Sequence, residues 1–130
     1  MDSEDWVKDA YENGVAMGSD LGVGPRSLNS TPTFLIWATK DAEGANLDRI
    51  QVVKGYLDAD GNPREKIFNV VWGGDRQLDA DGNLAAIGNT VDVPNATYTN
   101  DIGAVNLQTL WTDPEFDATQ SAFYLSLIHI

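Results

Sequence analysis

The chain has 130 residues, 42% of them apolar, which is enough for one domain with a modest core and too apolar for wholesale disorder. Acidic residues outnumber basic ones 20 to 8, for a net charge of −12, and the basic residues are scattered. That argues against nucleic acid or an anionic membrane as partner, since both need clustered Lys and Arg, and the absence of Cys excludes disulfides, zinc–thiolate sites and thiol chemistry.

In chain order, Ser3 to Asn13 reads as a short helix. Ser3 serves as N-cap, Glu4 and Asp5 fill the first turn, and Trp6, Val7, Ala10 and Tyr11 recur at helical spacing. The acidic start, Met1 to Asp5, is the opposite of a signal peptide. Gly14 is a helix stop, and a glycine-rich loop through Gly18, Gly22 and Gly24 leads on to Pro32. Residues 1–31 therefore form a helix and leader loop, and residues 32–124 a β-rich module.

Within the module the period changes to two. Thr33 to Thr39 is β-branched, aromatic and apolar on both faces, a pattern for a strand buried between two layers. Arg49 to Leu57 is the next strand, with Ile50, Val52 and Tyr56 on one face and Val53 and Leu57 on the other. Asp58 to Pro63 makes a hairpin loop, and Glu65 to Trp72 returns with Ile67 and Val71 opposite Phe68, Val70 and Trp72. Gly73 to Thr90 is a long polar connection, of a length that suits packing on something outside the chain. Further strands are expected at Ala96–Asn100, at Leu107–Thr112 and from Ala122, with a turn at Asp113–Asp117. The fold class is mainly β: a β-sandwich-like module of about five to seven strands with a short N-terminal helix and long loops. No run of about 18 apolar residues is present to span a membrane.

The last six residues, Leu125-Ser126-Leu127-Ile128-His129-Ile130, back-translate as CTG TCT CTT ATA CAC ATC, the transposon end used in sequencing adapters. Residues 125–130 are accordingly read as adapter-derived, the natural protein as continuing differently after Tyr124, and His129 as without a function. An ordinary strand is the other reading of the same residues.

Asp58-Ala59-Asp60-Gly61-Asn62 recurs as Asp79-Ala80-Asp81-Gly82-Asn83. The oxygens of Asp58, Asp60, Asn62, Asp79, Asp81 and Asn83 could ligate calcium. The glycine position and the missing Glu depart from the EF-hand pattern, and the same residues make ordinary turns. Gly18 to Gly24 lacks the strand–loop–helix order and the Lys of a phosphate loop. With His129 set aside, no base is available for a nucleophilic triad. Trp37, Trp72 and Trp111 could form a sugar-stacking face, but each sits in an apolar strand where core packing explains it.

The run Pro32 to Asp41 followed by Gly44 to Gly55 is distinctive, as are Glu65 to Trp72, Asp75-Arg76, Gly88 to Asp92, Ala96 to Asn100, Leu110 to Asp117 and Ala122 to Tyr124. In order and over most of residues 10–124, these blocks resemble the C-terminal region of a large bacterial family called domain of unknown function 3604. Gly14 to Leu21 also resembles it, with Ala16 where proline is common and Ser19 where glycine is common. The resemblance implies a protein several-fold longer than this chain, similar to metal-dependent hydrolases of the polymerase-and-histidinol-phosphatase type, and in many members exported. It places the metal-binding histidines upstream and none of the metal ligands in this sequence.

These features lead to the expectation of a C-terminal accessory part of a larger phosphoesterase-like hydrolase. Its partner is the upstream domain of the same chain, the cofactor is a divalent metal held outside this segment, and the full-length protein is periplasmic or extracellular. Asp20, in the glycine-rich loop, is the one weak candidate to approach the catalytic centre. The alternative is a stand-alone β module that binds calcium or carbohydrate.

Overall fold

The structure, a computed structural model, describes residues 5–21 and 31–130. Ser3 as N-cap and the stretch from Gly22 to Gly24 lie outside the described residues. Among these residues there is one helix, α1 (Trp6–Asn13), and seven strands: β1 (Thr33–Thr39), β2 (Arg49–Leu57), β3 (Pro63–Trp72), β4 (Val91–Asp92), β5 (Thr97–Tyr98), β6 (Asn106–Thr112) and β7 (Ala122–His129). None of the described helices is long and apolar enough to cross a membrane.

The strands form three sheets: β1–β6, β3–β2–β7 and the small β4–β5 ribbon, all antiparallel. The first two are stacked as layers. Phe34 of β1 meets Tyr124 of β7 at 4.7 Å between ring centroids, and Trp111 of β6 meets Phe68 of β3 at 5.1 Å. Thus β1 lies over β7, β6 lies over β3, and β2 runs beneath the middle. Ala38, Leu47, Ile50 and Leu107 form the buried centre, with Ile36, Val70, Val71 and Ala104 packed around it. The sequence pattern dictates this: alternate residues of β1 and β2 point to one face, and that face is apolar except for Lys54 of β2.

Three sequence expectations are corrected. First, β1 is not buried on both faces. Its inner face, Phe34, Ile36 and Ala38, fills the sandwich, whereas Trp37 is 55% exposed on the outside, with the Trp6 ring of α1 at 5.7 Å. Second, Ile50 pairs with Val71 and Gln51 with Asn69, leaving Val70 as an extra residue. This bulge turns Val71 onto the same face as Phe68, opposite to the assignment from strict alternation. Third, the strand expected at Ala96–Asn100 shortens to Thr97–Tyr98, because Ala96 occupies the turn with φ of 52°.

The long connection after Gly73 is held by this chain itself. The Arg76 guanidinium donates to the carbonyls of Gly73, Asp48 and Ala85, and Asn69 Nδ2 donates to the Gly82 carbonyl at 3.0 Å. The Trp72 indole N–H donates to the Arg76 carbonyl at 2.8 Å.

Candidate functional site

The densest polar chemistry is buried between the layers. Lys54 is placed by β2, on the same inward face as Ile50 and Val52. Asp113 follows the last residue of β6, and Tyr124 lies on β7 directly opposite Lys54. Lys54 Nζ lies 2.6 Å from Asp113 Oδ2 and 2.7 Å from the Glu115 carbonyl, and the rings of Tyr56 and Tyr124 flank the ammonium at 5.4 and 6.0 Å. Tyr124 Oη donates to Asp113 Oδ2 at 2.7 Å, and the Glu115 N–H donates to Asp113 Oδ1 at 2.8 Å. Outside the buried pair, Lys66 Nζ meets Glu115 Oε1 at 2.8 Å.

The electrostatics follow from these contacts. Burial acts to raise the Asp113 carboxyl, but the bonds from Lys54, Tyr124 and the Glu115 N–H outweigh it and hold the group below the usual carboxylate range. Burial and then the bond to Asp113 push the Tyr124 phenol well above the ordinary tyrosine range. The ammonium, the carboxylate and the phenol are therefore spent on one another. This arrangement fastens β2, the turn after β6 and β7 together; it presents no free base, acid or nucleophile.

A second cluster closes the other end of β2. Asp48 bridges Arg49 and Arg76, with both contacts at 2.6 Å. His129 Nε2 lies 2.7 Å from Gln51 Oε1, and burial, followed by the charge of Arg49, lowers its pKa.

The repeated acidic segments form twin turns. Asp58 Oδ1 accepts from the N–H groups of Asp60 and Asn62 at 3.0 and 2.9 Å, and Asp79 Oδ1 accepts from those of Asp81 and Asn83 at 2.9 and 2.8 Å. Gly61 and Gly82 take φ of 81° and 80°, the left-handed conformation that the turn needs. The Asn62 N–H and then Arg64 lower the Asp58 carboxyl, and the backbone and side chain of Asn83 lower that of Asp79. Asp60 and Asp81 are exposed. Among the described residues no group of three or more His, Cys, Asp or Glu is placed to hold a metal ion. Asp20 is exposed at the end of the described leader.

Of the three strand tryptophans, Trp111 stacks inside the sandwich, Trp72 is half-buried on β3, and Trp37 stands outside. An open groove of about 560 Å³ at the far end of the three-stranded sheet is lined by Leu57, Pro63, Glu65 and Phe123. Reading the sequence alone missed the Lys54–Asp113–Tyr124 cluster. The available signal was Lys54 itself, a charge in the alternation Ile50, Val52, Lys54, Tyr56, where an inward ammonium requires a partner.

Compared with known proteins, the chain matches one family model over residues 1–128, described as "Protein of unknown function (DUF3604)". That span is longer at both ends than residues 10–124, where the sequence blocks are recognisable. No curated protein and no solved structure matches.

Proposed function

We propose that this chain, which belongs to the DUF3604 family, is the β-rich accessory part of a larger metal-dependent, phosphoesterase-like hydrolase and is not catalytic by itself. The supporting observation is the state of Lys54, Asp113 and Tyr124. Lys54 and Asp113 are buried, Tyr124 is half-buried, and the three are bound to one another, as a scaffold requires. In the full-length protein a divalent metal would activate water for attack on a phosphoester-like substrate. No residue of this chain is assigned to that metal. The partner is the upstream domain of the same polypeptide, and export to the periplasm or beyond belongs to the same proposal.

The test is to express the chain alone and joined to its upstream reading frame, and to assay p-nitrophenyl phosphate with manganese or zinc. Turnover only in the joined protein is expected. Metal-dependent turnover by the chain alone would overturn the proposal, as would an upstream frame without a histidine cluster. The rival, a carbohydrate-binding module, draws on the exposed ring of Trp37. Oligosaccharide binding that is lost in Trp37→Ala would favour it.

A further inference from the structure

The side from which the chain enters the sandwich is given by one contact. Trp6 is the first residue of α1, and its ring lies 5.7 Å from that of Trp37 on the outer face of β1. The helix therefore meets the module by the end at which the chain enters it. Any segment preceding α1 starts beside that face. The rest of α1 is left without cover: none of its residues is buried, and Val7 and Tyr11 are exposed. Helices shorter than about 12 residues are marginal in water by themselves, so the eight residues of α1 call for a second surface to pack on.

The face beside Trp6 suits such a surface. Register places Leu110 of β6 opposite Leu35, and Gln108 opposite Trp37. Trp37 and Leu110 are each more than half exposed. Neither β1 nor β6 contains a charged residue, in a chain of net charge −12. The outer face of the other sheet, around Phe123, is on the opposite side of the sandwich from α1.

We propose that the outer face of β1 and β6, together with α1, is the seat of the domain that precedes this chain in the same polypeptide. The inference rests on the reading of the chain as part of a larger protein. Size selects a tethered occupant. One indole and two leucines are too few for a free partner, whose stable contact buries about 800 Å² on each side. A domain joined to α1 is held at high effective concentration and needs no such area. Trp37, Leu35 and Leu110 supply apolar burial, and Gln108 supplies hydrogen bonds at the rim.

Hydroxyl-radical footprinting read by mass spectrometry tests this, on the chain alone and on the chain joined to its upstream reading frame. Oxidation of Trp37 and Leu110 should fall several-fold in the joined protein, and that of Phe123 and Leu57 should not change. Leu110→Lys should restore oxidation of Trp37 in the joined protein and leave the circular dichroism of the chain alone unaltered. If that variant fails to fold, footprinting of the unaltered protein decides. Equal oxidation of Trp37 in the two proteins overturns the proposal, as does protection confined to Phe123 and Leu57. Oligosaccharide binding at Trp37 in the joined protein overturns it too, since the face would then be open. The phosphoester assay separates the two readings: turnover with Trp37 unprotected removes this seat alone, and protection without turnover removes the hydrolase alone. An in-frame stop directly before Met1 removes both.

Discussion

Lys54 and Asp113 stand 59 residues apart in the chain and meet at 2.6 Å in the interior, with side-chain exposures of 3% and 0%. The ammonium comes from the central strand of one layer and the carboxylate from the turn that leaves the other, so their contact ties the layers together. Burying two charges is costly, and here the cost is offset by full hydrogen bonding of the carboxylate. Removing one partner strands the other: Lys54→Met or Asp113→Leu should cost about 3–5 kcal/mol. The double variant should recover much of that loss. Urea unfolding of the three variants checks this, and additive losses in the double variant would show that the pair does not interact.

The same cluster sets the pH range. The folded pKa of Asp113 is depressed, so its contribution is present above the ordinary value of 3.8 and is lost as pH falls through the folded value. Tyr124 has a raised folded pKa, so its contribution is whole below the ordinary value of 10.0 and is lost as pH rises through the folded value. His129, lowered in the fold, begins to weaken stability as pH falls below 6.5. The melting temperature should therefore be flat near neutrality and fall on both sides, and Tyr124→Phe should flatten the alkaline limb.

Two backbone positions predict opposite responses. Ala96 holds φ of 52°, a conformation costly for a residue with a Cβ, so Ala96→Gly should stabilise by about 1 kcal/mol. Gly103 has φ of 80°, and a Cβ there would sit 2.7 Å from the Leu47 carbonyl oxygen. Gly103→Ala should destabilise by roughly 2 kcal/mol or more, from the left-handed conformation and the clash together. Thermal melts of both variants test the pair.

The twin turns predict indifference to calcium. Asp58 and Asp79 already accept two backbone hydrogen bonds each through Oδ1. Asp79→Ala should cost about 1 kcal/mol through the lost turn bonds. Millimolar calcium should leave the melting temperature of the unaltered chain where it is. A calcium-dependent rise that disappears in Asp58→Ala and Asp79→Ala would support the cation-binding reading of those loops.

Much of the fold was legible where the pattern is local. The bounds of β1 and β2 and both faces of β2 follow from alternation and flanking turns. The bulge at Val70 was not legible, since it is fixed by the pairing of Ile50 with Val71 and not by any turn residue. β4 was missed because a strand of two residues leaves no periodicity. The site was the least visible part: Asp113 reads as a turn residue and Lys54 as a surface lysine until the strands are stacked. Trp37 misled in the opposite sense, for an apolar strand at the edge of a two-stranded sheet keeps one face exposed.

The central claim is that this chain supports a hydrolase and does not itself catalyse. It is tested most directly by metal-dependent phosphoester turnover of the 130-residue chain beside the same chain joined to its upstream frame. No turnover from the first and metal-dependent turnover from the second is the predicted result. Turnover by the chain alone, abolished by chelation, would contradict it.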